Sequence, residues 1–583
     1  MNGVDVRTWR QYTLEKGTND SELNPDLLKL KKLLQRGQMK TFVMTRRGFL
    51  AGATAGATTL LASSYMKTDA LASQTPAQNE SKPQIKDSES AFHGEDSSTY
   101  SVVDTYTFPG FKVVQITLPA LSVYSYLLIS DGAALLIDPV RDISFYMDTA
   151  KKEGAKIVGV YLSHSHADFV AGHTEVRKAV GAPIFQSHKS GAKYPFKAMD
   201  EQSTVKIGKA TLKFLDTPGH TPDGQCCAVY SEDDLKNPKL LFTGDVLFVG
   251  SVGRPDLLDG TVPAAWLASA FYDSWVNKLS KLPDNVMIFP AHGAGSLCGA
   301  NLGNEPKSTI GEEKASNPYF KARGKGEFVA MVLQGLPEAP QYFRHNAKMN
   351  REGPALVDWN ASVSREIKPT SQLTKPSKYY LVDVREADAY AKEHIPNSVN
   401  ISARGRLETW VGSIVPWGSK LVLIGDGDEL KEAKSRLHRI GYQADTLTMD
   451  SWKKTKLPVK SQTPVTPQKL HEMMQKGEAP LIVDVRLPTE WMAMRIGNVL
   501  NMPLTHLVET SSKLEPDQPV ALVCNSAYRS SLATGVLERK GFTKAVSLEG
   551  GSQAWIDAGF PVFEGQKTPD AGLVPSKAEP KGA

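Results

Sequence analysis

Val158-Gly159-Val160-Tyr161-Leu162-Ser163-His164-Ser165-His166-Ala167-Asp168-Phe169 is the stretch on which the reading of this chain turns. Val158 to Leu162 is a β-type apolar run, and it breaks into a His-x-His-x-Asp loop. A strand ending this way projects several donor atoms into one small volume. A lone His-x-His is weak evidence, because buried histidines satisfied by backbone groups are common. The pattern recurs downstream. Thr217-Pro218-Gly219-His220-Thr221 follows a strand, and Leu240-Leu241-Phe242-Thr243-Gly244-Asp245 is a buried strand ending in a carboxylate. Phe289-Pro290-Ala291-His292-Gly293 is again a strand followed by histidine. Four strand ends, each delivering His or Asp, define a metal-binding half.

C-terminal to it, a linker-like passage from Leu336 to Pro354 leads into two segments that resemble each other. Tyr380-Leu381-Val382-Asp383-Val384-Arg385 reappears as Leu481-Ile482-Val483-Asp484-Val485-Arg486. Each continues through a charged helix-like stretch into an apolar strand, Leu421 to Ile424 and Val520 to Val523. A Gly-aromatic pair (Gly441-Tyr442, Gly541-Phe542) and a tryptophan (Trp452, Trp555) follow in both. The offsets are 101, 100 and 103 residues, so a βα unit of domain size is duplicated.

In the second copy Cys524 stands at the strand end. Asn525-Ser526-Ala527-Tyr528-Arg529 complete a six-residue loop before a helix expected near Ser530 or Ser531. Loop N–H groups and a helix N-terminus then face the sulfur, and Arg529 is expected to add positive charge, all favouring a nucleophilic thiolate. The first copy has Gly425-Asp426-Gly427-Asp428 instead, with no thiol and the wrong charge for sulfur anions.

The remaining cysteines, Cys226, Cys227 and Cys298, are too scattered for a disulfide framework. Cys226 and Cys227 sit in an apolar strand and read as core. The 583 residues are 41% hydrophobic and 22% charged, ample for several packed domains. The formal charge of +5 lies wholly in residues 1–72, which carry 11 Lys/Arg against 6 Asp/Glu. It is therefore no argument for nucleic-acid binding. Thr45-Arg46-Arg47-Gly48-Phe49-Leu50 precedes a weakly apolar run to Ala62, and Ala70-Leu71-Ala72 offers small residues for cleavage. This is a twin-arginine export pattern, which implies passage through that machinery and a periplasmic mature protein without a membrane span. The polar lead-in of residues 1–43 is long, so either the n-region is extended or translation starts at Met44. The expected organisation is a leader over 1–72, a linker over 73–100, a metal domain over 101–345, repeats over 355–459 and 460–563, and a disordered tail over 564–583.

The four strand-end motifs, in this order, resemble the metallo-β-lactamase superfamily. Its hydrolases usually carry His-x-His-x-Asp-His, whose last pair helps hold a second metal. Here that last residue is Phe169, which cannot ligate. What remains is His164, His220 and Asp245, a two-His, one-carboxylate set suited to non-haem Fe(II) oxygen chemistry, although zinc fits the same ligands. The runs from His164, Gly244 and His292, with Ser308-Thr309-Ile310-Gly311 and Pro340-x-Tyr342-Phe343, resemble persulfide dioxygenase–rhodanese fusion proteins. That resemblance implies an α/β multidomain chain: an αββα metallo-β-lactamase sandwich followed by two α/β rhodanese-like domains, the first lacking its cysteine. It further implies one Fe(II) per chain on His164, His220 and Asp245, with His166, Asp168 and His292 around it as supporting or additional ligands. Cys524 and Arg529 would be catalytic in sulfur transfer. Arg254 is expected to clamp a carboxylate of a glutathione-like thiol, and Cys298 to approach the substrate. Small-molecule persulfide, O2, and sulfite or thiosulfate would be the reaction partners. Two rivals stand beside this reading: a zinc thioester or lactone hydrolase, and a periplasmic sulfur carrier or sensor. The sequence leaves the oligomeric state open.

Overall fold

Two β-sheets packed face to face build the metal half. The computed structural model describes residues 99–258, 261–336, 338–359 and 366–564. The leader, nearly all of the 73–100 linker and the tail beyond Glu564 lie outside the described residues.

The first sheet has seven strands in chain order: Ser101–Phe108, Phe111–Leu118, Val123–Ser130, Ala133–Ile137, Lys156–Leu162, Ile184–Ser187 and Lys197–Met199. The first four pair antiparallel and the rest parallel. The second sheet has six, ordered Ser308–Thr309, Met287–Pro290, Leu240–Gly244, Gln225–Tyr230, Ala210–Asp216 and Thr204–Ile207. Alternation decides what each strand buries. Cys227, Val229, Phe214 and Phe242 face Phe111, Val113, Tyr126 and Leu135 of the first sheet. Cys226 and Ala228, one residue out of phase, face outward beneath helix Ala264–Asn277. Helices Ser144–Lys152 and His173–Val180 cover the other outer face. The layers therefore read helix, sheet, sheet, helix.

Each C-terminal repeat is a four-stranded parallel sheet. Ser398–Asn400, Tyr380–Asp383, Leu421–Gly425 and Ala444–Thr448 form the first. Leu500–Asn501, Leu481–Asp484, Val520–Val523 and Ala545–Ser547 form the second, in the same order. Asp383 pairs with Ile424 as Asp484 pairs with Val523, so the duplication holds to the register.

The expected linker between Leu336 and Pro354 is instead largely a helix, Gln341–Glu352. Tyr342, Asn346 and Asn350 recur every four residues and, with Phe343 and Ala347, are buried. Its polar composition hid that stripe. One continuous core runs from Phe169 and Cys298 through Tyr342 and Phe343 to Leu407, Val411 and Leu532, joining the metal half to both repeats. Among the described residues, no helix is long and apolar enough to cross a membrane.

Candidate metal centre and sulfur-transfer loop

The four strand ends converge as the motif spacing implies. Asp245 Oδ2 lies 3.7 Å from His164 Nε2, 3.4 Å from His220 Nε2 and 3.4 Å from His292 Nε2. His292 Nε2 is also 3.3 Å from Asp168 Oδ2. All are buried. Yet His164 Nε2, His220 Nε2, His292 Nε2 and both oxygens of Asp245 and of Asp168 have no hydrogen-bond partner. Buried polar atoms left without partners are costly, and a convergent set of them is what a cation would satisfy. The donor atoms of His164, His220 and Asp245 lie within 4.8 Å of one another, as do those of His166, Asp168 and His292.

Their outer atoms fix the rings. His220 Nδ1 donates to Arg254 O at 2.8 Å and His292 Nδ1 to Ser122 O at 3.1 Å. His164 Nδ1 meets Ser163 Oγ at 2.9 Å. In each case Nε2 is turned into the site, the arrangement of a ligating imidazole. His166 is reversed: its Nε2 donates to Asp138 Oδ1 at 3.0 Å, leaving Nδ1 inward. Phe169 stacks on the His166 ring, 4.3 Å between centroids, and closes that side with carbon.

Burial, then the charge of His166, lowers the His164 pKa, and burial lowers that of His220. Both are thus held neutral, the form that binds metal. Burial opposes the charge on Asp245, but His292 and His164 outweigh it and hold the carboxyl well below its usual range. Burial likewise opposes a charged His292, which Asp245 and Asp168 push up to about 9.

Asn350, from the unforeseen helix, holds the His-x-His loop from behind. Its Nδ2 donates to His166 O at 2.8 Å and Phe169 O at 2.7 Å, and its Oδ1 accepts from Ala171 N at 2.9 Å. Gly253 packs so closely on the Asp245 carbonyl that a Cβ there would overlap it.

Arg254 requires a correction. Its guanidinium is buried, paired with both Asp256 oxygens at 2.7 Å and donating to Leu297 O at 3.3 Å. Clamping a substrate carboxylate would mean displacing Asp256. Through its carbonyl, Arg254 instead orients His220. Cys298 is fully buried, with its sulfur within 4.8 Å of the facing atoms of Asp245 and His292.

In the second repeat Cys524 is also fully buried. Ser530 N donates to its Sγ at 3.4 Å, and Ser530 Oγ lies at the same distance. The helix begins at Tyr528, slightly earlier than expected, and Ala527 before it takes a left-handed φ of 77°. The loop carbonyls are anchored too, Cys524 O by Ser552 N at 2.7 Å and Asn525 O by Gln553 N at 3.0 Å. Gly551 is required there, because a Cβ would collide with both carbonyls.

Arg529 is itself held by a carboxylate. Both of its terminal nitrogens lie 2.9 Å from Glu490 oxygens. Burial opposes ionisation of Glu490, and the Arg529 contacts outweigh it. Glu490 Oε1 also accepts from Asn525 Nδ2 at 3.2 Å, and Asn525 Oδ1 accepts from Arg486 at 2.9 Å. The four side chains form one frame around the loop. Glu490 was missed because its partner lies 39 residues away, beyond any local signal.

The profile of the metallo-beta-lactamase superfamily matches residues 118–292, and that of the rhodanese-like domain matches residues 368–451 and 466–558. The chain is 32% identical over 164 residues to a hydroxyacylglutathione hydrolase of Polaromonas sp., covering 28% of this chain and 57% of that protein. It is 31% identical over 231 residues to the mitochondrial persulfide dioxygenase ETHE1 of Mus musculus, covering 39% of this chain and 83% of that protein. A crystal structure of a metallo-beta-lactamase from Staphylococcus aureus shares the fold, with a TM-score of 0.53 and 29% identity over 58% of this chain and 98% of that one.

Proposed function

The chain belongs to the metallo-β-lactamase superfamily and carries two rhodanese-like domains, and from that premise we propose that it oxidises a low-molecular-weight persulfide. In this reading R–S–SH, O2 and water give the thiol, sulfite and two protons. A second step transfers sulfane sulfur through Cys524, where persulfide and sulfite give thiol and thiosulfate.

The observation that carries the reading is the partnerless set of His164 Nε2, His220 Nε2 and Asp245, with Phe169 standing beside His166 where a further ligand would be. Those three residues would hold one iron, which when bound supplies Lewis acidity and a template for persulfide and oxygen. The protein does the rest. Arg254 O, Ser122 O and Ser163 keep the imidazoles aimed inward. Phe169 and Phe248 keep water away, since both are fully buried beside the cluster. His292 and Asp168 are placed to exchange a proton with the departing thiol, and Cys298 lines the same pocket. In the sulfur loop, Ser530 N and the helix start would stabilise anionic sulfur on Cys524, while Glu490 and Arg529 hold the loop in shape. The Arg46-Arg47 pattern of the leader supports a periplasmic setting for this chemistry.

The similarity to a hydroxyacylglutathione hydrolase supports a second reading, zinc-dependent thioester hydrolysis at the same cluster. Asp245→Ala distinguishes them. Persulfide-dependent oxygen uptake should vanish while transfer through Cys524 persists. Loss of thioester hydrolysis, with no oxygen uptake in the parent protein, would favour the hydrolase.

A further inference from the structure

The first repeat has lost its thiol, yet one segment of it, Ser402–Arg406, touches the loops of both sites. On one side lies Tyr528 of the Cys524 loop. Its hydroxyl donates to Ser402 O at 3.2 Å, and its ring covers Gly405 so closely that an added Cβ would sit 2.5 Å from Cε2. On the other side Arg406 Nη2 donates to Gly295 O at 2.8 Å. Gly295 is three residues beyond His292, in the loop that continues to Cys298.

That loop needs outside support. Gly293, Gly295 and Gly299 lie within seven residues, and Gly295 has a φ of +90°. Glycine-rich backbone loses the most freedom when ordered, so it holds one shape only where contacts fix it. Beside the bonds it makes to Ser122 and Arg254, the contact it receives from Arg406 comes from a rigid support. Arg436 donates to Ala403 O and, at 2.9 Å, to Gly405 O, and it pairs with buried Glu408 at 2.7 Å. Glu408 also meets Arg439 at 3.2 Å, and the Arg439 guanidinium pairs with Asp142 at 2.8 Å. Arg439 O accepts from Val170 N at 2.7 Å, two residues past Asp168. The same buried network therefore grips the metal half at Gly295 and at Val170.

We propose that the thiol-free repeat is a clamp on the metal centre, and that Arg406 is its positioning residue, fixing the loop that carries His292 and Cys298. The oxygen-uptake and iron-release arms of its test rest on the dioxygenase reading; the hydrogen-exchange arm does not.

Arg406→Met and Arg406→Lys in the full chain test it, with circular dichroism confirming that each folds. In Arg406→Met, loss of a charged donor should speed amide hydrogen exchange across residues 293–299 about tenfold or more. Release of bound iron to a chelator, or persulfide-dependent oxygen uptake per KM, should change by about 10–100-fold, as when other groups that orient metal ligands are removed. Arg406→Lys, which still carries a donor, should recover part of each effect. If Arg406→Met fails to fold, Arg406→Lys alone decides: exchange above the parent's supports the clamp, and exchange equal to it removes it. A folded Arg406→Met with the parent's loop exchange and iron retention overturns the clamp. Absence of oxygen uptake in the parent protein overturns the dioxygenase reading instead, and the exchange results still decide the clamp.

Discussion

Glu490 and Arg529 form a closed pair, two contacts of 2.9 Å, at the edge of the loop that carries Cys524. Removing one member leaves the other's charge nearly buried, since the Arg529 side chain is 6% exposed. Glu490→Ala should therefore destabilise the second repeat by about 3 kcal/mol. Truncating both residues should recover much of that loss. Urea unfolding of the two single variants and the double variant measures the coupling, and additive losses would mean that the pair does not frame the loop.

Cys524→Ser tests the carrier directly. A serine hydroxyl cannot hold sulfane sulfur, so transfer to sulfite should fall to background. The candidate metal cluster draws on separate residues, so oxygen uptake should continue and the product should shift from thiosulfate to sulfite. Undiminished thiosulfate formation would remove Cys524 from the pathway.

Glu429, beside the missing thiol loop, should make stability depend on pH. Burial raises its pKa from 4.5 to about 7, with Glu386, Asp383 and Asp426 adding to the effect. A raised carboxyl pKa means that the folded state binds the proton more tightly, so the stabilising contribution is full below about pH 4.5 and is lost as pH rises through 7. Glu429→Gln should match the parent at pH 4.5 and be more stable at pH 8, by about 1 kcal/mol once solvent screening is allowed for. Thermal unfolding at both pH values checks it; an equal difference at both would exclude ionisation as the cause.

The proposed export rests on Arg46-Arg47. Changing both to lysine should leave the protein in the cytoplasm with its leader uncut, as read by cell fractionation and N-terminal sequencing. Unchanged periplasmic yield would remove the twin-arginine assignment.

The candidate metal-binding cluster was legible because each of its residues sits at the end of an apolar strand, where the fold has little choice of direction. The duplication was legible for the same reason, and the structure extends it to equivalent strand register. What escaped was support supplied from a distance: Asn350 behind the His-x-His loop, Glu490 behind Arg529, Arg406 over Gly295. The helix Gln341–Glu352 was hidden because its buried stripe includes Asn346 and Asn350, polar residues that blur the apolar period. Arg254 was read as a charge available to substrate, and Arg529 as one favouring the Cys524 thiolate. Burial required each to carry a carboxylate partner, and Asp256 was only two residues from Arg254.

The most direct test of the central claim is metal analysis of the purified full chain, joined to oxygen consumption with persulfide supplied and withheld. The expected result is about one iron per chain, with uptake only when persulfide is present and about one sulfite or thiosulfate formed per O2. Two tightly bound zinc ions per chain, thioester hydrolysis and no oxygen uptake would contradict it.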